Sequence, residues 1–252
     1  MSPEYRGARI ALGWLFAVTV AAAVVVVRYP EIDLAVSGWF FDPARKGFYL
    51  AKNPFFVAFR ETMHQGFRLT AAIALIFWIR SALVDQRVPA RIWAFIGLSY
   101  LTGPLLLVNV ALKGFWGRAR PAQVEEFGGG KVFTEAFRIT DQCEWNCSFV
   151  SGEAAALTTF FLLVAIILWP HVKTGTGRVA LAVFCGSLAL LTSAFRVLMG
   201  RHFLSDSLFG MLFAAIVVIA LYVVLDVARY RRNASARDFL ADARDMLRFR
   251  KS

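Results

Sequence analysis

The chain has 252 residues, of which 58% are hydrophobic and only 18% charged; its net charge is +11 and its mean hydropathy +0.58. A soluble domain of this length carries nearer a quarter charged residues, and the apolar excess here is gathered into runs long enough for lipid to be the solvent of much of the chain. Such a positive charge would suggest nucleic-acid binding in a soluble protein. Zinc-finger spacing and an RNA-recognition signature are absent, however, and much of the Lys/Arg excess sits in loops and tails beside apolar runs, where anionic lipid attracts it.

The first apolar run, Ile10–Val27, follows Arg6 and Arg9 and passes into Arg28-Tyr29-Pro30 without a small-residue cleavage site, so it reads as a retained signal anchor and first span. The segment Ile32–Phe41 repeats its apolar residues at helical spacing and is expected to lie on the bilayer as an amphipathic helix anchored by Trp39. A second span is drawn over Phe55–Ile79, although Arg60, Glu61, His64 and Arg68 occupy its first turns; its membrane part is expected to begin near Leu69. The third span, Ile92–Leu112, lies between Pro89 and Pro121.

The long outer segment Lys113–Ser151 follows, with Cys143 and Cys147 either as a disulfide or as two free thiols. The fourth span is Gly152–Trp169, ended by Pro170; the fifth is Val179–Phe195, with Cys185 as a small core residue; the sixth is Phe203–Leu225. Ala234–Lys251 reads as an amphipathic surface helix with Phe239, Ala243, Met246 and Leu247 on one face and no specific partner.

The expected fold class is therefore an all-α membrane protein of six transmembrane helices, one domain over 1–252 with a basic tail over 229–252. The arginines of that tail argue for a cytoplasmic C-terminus. An even span count then places the N-terminus on the same side and the loops after the first, third and fifth spans in the periplasm. The Lys/Arg count differs little between the two faces, so charge alone decides the orientation weakly.

On this map one membrane face collects Lys113 and Arg120 from the exit of the third span, and Ser151, Gly152 and Glu153 from the start of the fourth. Arg196 from the end of the fifth and His202 and Asp206 from the start of the sixth fall on the same face. A phosphate monoester dianion repels nucleophiles, so a catalyst must neutralise its oxygens. Lys113, Arg120 and Arg196 are suited to that, and the backbone N–H groups of Ser151 and Gly152 at a helix start suit an anion. His202 can attack phosphorus through one imidazole nitrogen, and Asp206, one helical turn later, can fix the proton on the other. With side chains as the cations, no metal or other cofactor is expected. Singly, each of these residues has a bland reading as a snorkelling anchor or helix-start pair; together they do not. Arg118, Lys131 and Arg138 read as solvated loop charges in preference to headgroup contacts.

These residues resemble the type-2 phosphatidic acid phosphatase superfamily of membrane lipid phosphatases. Lys113 to Pro121 fits its first motif, K-x6-R-P, in full. Arg196, His202 and Asp206 fit the third, S-R-x5-H-x3-D, with Phe195 in place of the usual Ser. The resemblance implies a nucleophilic His202, an orienting Asp206, and phosphate bound by Lys113, Arg120 and Arg196. The second motif, P-S-G-H, departs: Val150-Ser151-Gly152-Glu153 puts Glu153 where a histidine acid is usual. A glutamic acid serves if its surroundings favour the protonated form, but beside cations it stays ionised. His64, or a leaving group needing no acid, remains the alternative.

The expected function is phosphate removal from a membrane lipid at the periplasmic face of a bacterial inner membrane through a phosphohistidine; bacterial lipid A phosphatases resemble this chain in size and layout. Undecaprenyl pyrophosphate phosphatase, phosphatidylglycerophosphate phosphatase and lipid phosphotransferase are the alternatives within the class. A non-catalytic binder of anionic lipid is the alternative outside it. The expected partners are a phosphorylated lipid and the bilayer, not nucleic acid.

Overall fold

The structure is a computed structural model and describes residues 3–248. Its helices are α1 Pro3–Arg28, α2 Glu31–Gly38, α3 Pro54–Arg80, α4 Ala90–Tyr100, α5 Lys113–Phe115, α6 Gly152–Leu168, α7 Gly175–Leu198, α8 Leu204–Val224, α9 Val227–Tyr230 and α10 Ala236–Arg248. A small antiparallel ribbon pairs β1 Phe41–Asp42 with β2 Gly47–Phe48. The stretch Leu101–Leu112, which contains Pro104, is π-helical and joins α4 to α5 as one continuous rod.

Local chemistry sets the helix starts. Asn53 accepts from the Phe55 N–H at 3.0 Å with Pro54 in the first position of α3, Ser151 caps α6 through the Ala154 N–H, and Thr174 caps α7 through the Gly177 N–H.

Five segments are long and apolar enough to cross a membrane: Tyr5–Arg28, Ala90–Phe115, Gly152–His171, Gly175–Leu198 and Leu204–Val224. They coincide with the first, third, fourth, fifth and sixth spans drawn from the sequence. The second falls on α3, which has the length at 27 residues. Arg60, Glu61 and Arg68 lie inside it, so among the described residues five helices, not six, meet the criterion on composition.

Helix α8 is the hub, with α1, α6 and α7 packed around it. Phe209 in α8 is fully buried against Phe137 (ring centroids 4.8 Å apart) and near Phe149, and Val26 of α1 joins this cluster. A second cluster lies at the opposite end of the bundle, where Trp93 stacks on Phe77 at 4.6 Å and meets Phe239 of α10 edge-on at 4.9 Å. Residue Gly152 lets α6 start against the π-helical rod: a Cβ there would lie 2.6 Å from Asn109 Oδ1.

Two helices make contacts that the sequence reading did not include. The face of α2 turned inward is polar, with Asp33 and Ser37 buried and Trp39 just beyond it exposed; a helix resting on the bilayer by its apolar face alone would leave those groups outside. The C-terminal helix does have a partner. Buried Asp242 accepts from the Arg87 and Val88 N–H groups at 2.9 and 3.0 Å, and Phe239 packs on Trp93, so α10 is docked beneath the link between α3 and α4. The last residues of the tail, Arg250 and Lys251 among them, and the side chain of Leu247 lie outside the described part.

Candidate active site

The segments at one end of the bundle converge. Lys113 opens α5 at the tip of the long rod, and the chain then turns at Gly117, whose φ of +64° is left-handed. A Cβ at Gly117 would sit 1.6 Å from the Thr140 carbonyl oxygen, so only glycine fits. After the turn, Arg118 points into the protein and Arg120 into a cavity. On the other side, the Arg196 carbonyl at the end of α7 accepts from the N–H groups of Arg201 (3.0 Å) and His202 (3.2 Å), which folds the α7–α8 connection back onto Arg196.

The cavity between these segments measures about 760 Å³, and Lys113, Arg120, Gly152, Glu153, Arg196 and His202 all line it. Its other wall is apolar, with Phe67, Leu75 and Trp78 of α3 facing Leu101 and Leu105 of the π-helical rod. One end thus offers cations and an imidazole, while the flank offers a surface for hydrocarbon.

His202 is buried, and its Nδ1 lies 2.8 Å from the Ser148 carbonyl oxygen. A carbonyl only accepts, so Nδ1 carries the proton and Nε2 keeps its lone pair. Burial, and then the charges of Lys113, Arg120 and Arg196, hold the imidazole well below its ordinary pKa of 6.5, against a smaller opposing effect of the Ser148 bond. The ring is therefore neutral, as a nucleophile must be.

Asp206 is placed differently from the expected arrangement. Its Oδ2 stands 3.9 Å from His202 Nδ1, too far for a hydrogen bond. That oxygen accepts instead from the Ser148 hydroxyl (2.5 Å) and the Phe203 N–H (2.8 Å). Asp206 thus holds Ser148, and Ser148 holds the ring. Nor is the Ser151 N–H available to an anion: it donates to the Asp206 carbonyl at 2.9 Å, and the Ser151 hydroxyl caps α6. Of that pair only Gly152 reaches the cavity wall.

Glu153 contacts Arg196 Nε directly. A cation beside the carboxyl group is the condition read from sequence as working against an acid role. Lys113 Nζ donates to Asn146 Oδ1 at 3.3 Å, and Arg120 donates through Nε and Nη2 to the Asn146 carbonyl at 3.2 and 2.7 Å. Cys143 and Cys147 are disulfide-bonded around Asn146, which settles the choice between disulfide and free thiols for this loop. Phe195, in the position where the family usually has Ser, packs edge-on against Phe56 (4.9 Å) and Phe59 (5.8 Å), tying α7 to α3.

Arg118 is the largest departure from the sequence reading. It is no solvated loop charge but fully buried. Its Nη1 donates to Asp206 Oδ1 (2.6 Å) and the Ser205 hydroxyl (2.9 Å), its Nη2 to Asp33 Oδ2 (2.8 Å), and its Nε to the Thr134 carbonyl (2.8 Å). The Phe203 ring lies 4.3 Å from the guanidinium carbon. Asp33 in turn accepts from the Ser205 N–H at 2.9 Å. Asp33, Ser148 and Asn146 were not picked out from sequence, and Arg118 was read as a solvated loop charge; the signals were an Asp inside a largely apolar helix and an Arg inside the Lys113–Pro121 segment. Lys131 and Arg138 are exposed, as expected. His171 lies on a different cavity, with Arg178 and Arg231 at the far end of α6; the His64 side chain lies outside the described part.

A family model described as the PAP2 superfamily matches residues 92–230, more than half of the chain. The chain belongs to the PAP2 superfamily. It is 40% identical over 134 residues to a lipid A 4'-phosphatase of Rhizobium leguminosarum, a match covering 53% of this chain and 55% of that one. A lipid A 4'-phosphatase of Francisella tularensis subsp. novicida (strain U112) is 29% identical over 207 residues, covering 81% of this chain and 90% of that one. The chain thus spans about half the length of the Rhizobium relative and most of the Francisella one. A crystal structure of a transmembrane PAP2-type phosphatidylglycerolphosphate phosphatase from Bacillus subtilis shares the fold, with a TM-score of 0.53 at 21% identity over 83% of this chain and 93% of that one. The matched PAP2 segment contains every residue described above as lining the basic end of the cavity.

Proposed function

We propose that this PAP2 superfamily member is a phosphatase of membrane lipids that works through a phosphohistidine on His202. The observation that carries the reading is the neutral, Nδ1-protonated imidazole lining one cavity with Lys113, Arg120 and Arg196. In the first step His202 Nε2 attacks phosphorus, an N–P bond forms, and the P–O bond to the lipid breaks in line. The three cations balance charge on the phosphoryl oxygens, so the reaction as drawn needs no metal. Water then cleaves the N–P bond and restores the imidazole.

Glu153 is the proton-transfer group in this scheme. Its carboxylate pairs with Arg196. A bound phosphate dianion competes for that arginine and leaves the carboxylate beside a negative charge, which favours taking up a proton. Glu153 then protonates the departing lipid oxygen and removes a proton from the attacking water.

The curated relatives direct the substrate reading to lipid A and its 4'-phosphate. The apolar flank of the cavity suits an acyl chain. We place the chain in a bacterial inner membrane with α3 as its second span and the site on the periplasmic side; the Cys143–Cys147 disulfide suits that oxidising compartment, and the arginine-rich tail suits the cytoplasm. The test is phosphate release by purified protein from lipid A, undecaprenyl pyrophosphate and phosphatidate, wild type beside His202→Ala. Release from lipid A by wild type alone supports the reading, and equal release by both proteins removes it.

A further inference from the structure

The rod that delivers Lys113 to the cavity is not wound as an ordinary α-helix. Helix α4 ends at Tyr100, and the next twelve residues, Leu101–Leu112, are π-helical. Pro104 accounts for the change. Inside a helix its ring clashes with the carbonyl four residues back, here that of Tyr100, and it has no N–H to donate. A π turn is one residue wider than an α turn, is rare, and occurs mostly as a single turn, often at functional sites. Twelve residues in that winding need a group that holds them there.

Asn109 is placed to do so. Its Nδ2 donates to the Pro104 carbonyl at 2.6 Å, five residues back, which is the spacing of a π-helical hydrogen bond. Within a bilayer no water takes over a carbonyl that loses its partner. The amide oxygen is fixed by α6: a Cβ at Gly152 would come within 2.6 Å of Asn109 Oδ1, so the side chain fills the space that glycine leaves. Asn109 lines the cavity together with Leu101, Pro104, Leu105 and Lys113 of the same rod. An α-helix turns about 100° per residue, and the wider π turn less. That difference accumulates over the twelve residues between α4, whose Ile92 and Phe95 are buried in the core, and Lys113 at the tip. The winding of the rod therefore decides which way Lys113 points.

We infer that Asn109 is a positioning residue for Lys113: by holding the Pro104 carbonyl it keeps the rod in its π winding, and that winding turns the Lys113 ammonium into the cavity. The effect on turnover rests on the reading of Lys113 as a phosphate ligand; the place of the ammonium does not.

The test is a double-mutant cycle in detergent with wild type, Asn109→Leu, Lys113→Met and the variant carrying both. Asn109→Ala runs beside Asn109→Leu. It removes the same amide without filling the space by Gly152, and alanine favours a helix, so a packing fault peculiar to leucine is told apart from the lost donor. Each single variant should lower kcat/KM for a lipid phosphate by about tenfold or more, the scale of a lost charge-assisted contact. The variant carrying both should stay within about twofold of Lys113→Met, because an averted lysine and an absent one are equivalent. Losses that multiply, or an undiminished rate in Asn109→Ala, mean that Asn109 does not act through Lys113 and overturn the inference. The protonation midpoint of His202, read by nuclear magnetic resonance without turnover, follows the same cycle. Asn109→Leu should raise it as Lys113→Met does, and the variant carrying both should raise it no further. A midpoint that Asn109→Leu leaves at the wild-type value overturns the inference whatever the rates. If Lys113→Met retains full activity while the midpoints follow the cycle, the placement of Lys113 by Asn109 stands and the role of Lys113 as a phosphate ligand falls.

Discussion

Arg118 Nη1 lies 2.6 Å from Asp206 Oδ1, and both side chains are fully shielded from solvent. The same guanidinium reaches Asp33 at 2.8 Å, so one arginine joins the short helix after the first span to the first turn of α8. The chain of contacts continues from Asp206 through the Ser148 hydroxyl to the segment whose carbonyl fixes His202. Removing Arg118 would leave two buried carboxylates facing each other without a cation. Loss of one partner from a buried pair costs about 3–5 kcal/mol. Arg118→Ala is therefore expected to lower the thermal unfolding midpoint in detergent sharply, and Arg118→Lys to recover only part of it, since an ammonium cannot fork to Asp33 and Asp206 at once.

The protonation of His202 gives a prediction with a definite sign. Its pKa is held well below 6.5, so on acidification through pH 6.5 the ring stays neutral and acquires its proton only at distinctly lower pH. Nuclear magnetic resonance of labelled histidine in micelles reads this directly and avoids the substrate's own phosphate titration, which lies near pH 6. A His202 midpoint at or above 6.5 would contradict the electrostatic account. Replacing Lys113 by Met should move the midpoint upward, because Lys113 is the largest charge contribution after burial.

Glu153→Gln tests proton transfer. The amide keeps the shape beside Arg196 but carries no transferable proton. On a lipid with a poor leaving group, kcat should fall by about 100-fold or more with KM little changed, the usual scale of general acid–base catalysis. On an aryl phosphate, whose leaving oxygen needs no acid, the loss in the first step should largely vanish. An undiminished rate on the lipid would take Glu153 out of the reaction.

The disulfide loop gives a prediction that separates binding from chemistry. Asn146, held between Cys143 and Cys147, accepts hydrogen bonds from Lys113 and Arg120. Cys143→Ser with Cys147→Ser should loosen this loop and change KM more than kcat, by a few-fold, with His202 untouched. A fall in kcat at constant KM would instead place the loop in the chemistry.

Much of the fold was legible because lipid imposes a simple rule on sequence: apolar runs near 20 residues, ended by Pro30, Pro170 and the basic links, are helices. The cavity residues were legible because Lys113, Arg120, Arg196 and His202 all sit at the ends of such runs. The interior of the site was not. Arg118 and Asp33 are 85 residues apart, and nothing local says that a loop arginine will be buried against a carboxylate from another helix. The link from Asp206 to His202 through Ser148 was missed for a related reason: helical spacing brings the two side chains within 3.9 Å but does not say which neighbouring acceptor takes the ring proton. α3 stayed ambiguous because Arg60, Glu61 and Arg68 line a cavity, a reason for charge in a long, otherwise largely apolar helix that composition alone does not report.

The most direct measurement is a search for the covalent intermediate. Protein mixed with lipid substrate bearing radiolabelled phosphate, and quenched in alkali within milliseconds to seconds, should carry label on a single peptide containing His202. The bond should be stable to alkali and lost in acid, and absent from His202→Ala. Turnover with no trapped label at any time point, or label on another residue, would contradict nucleophilic attack by His202.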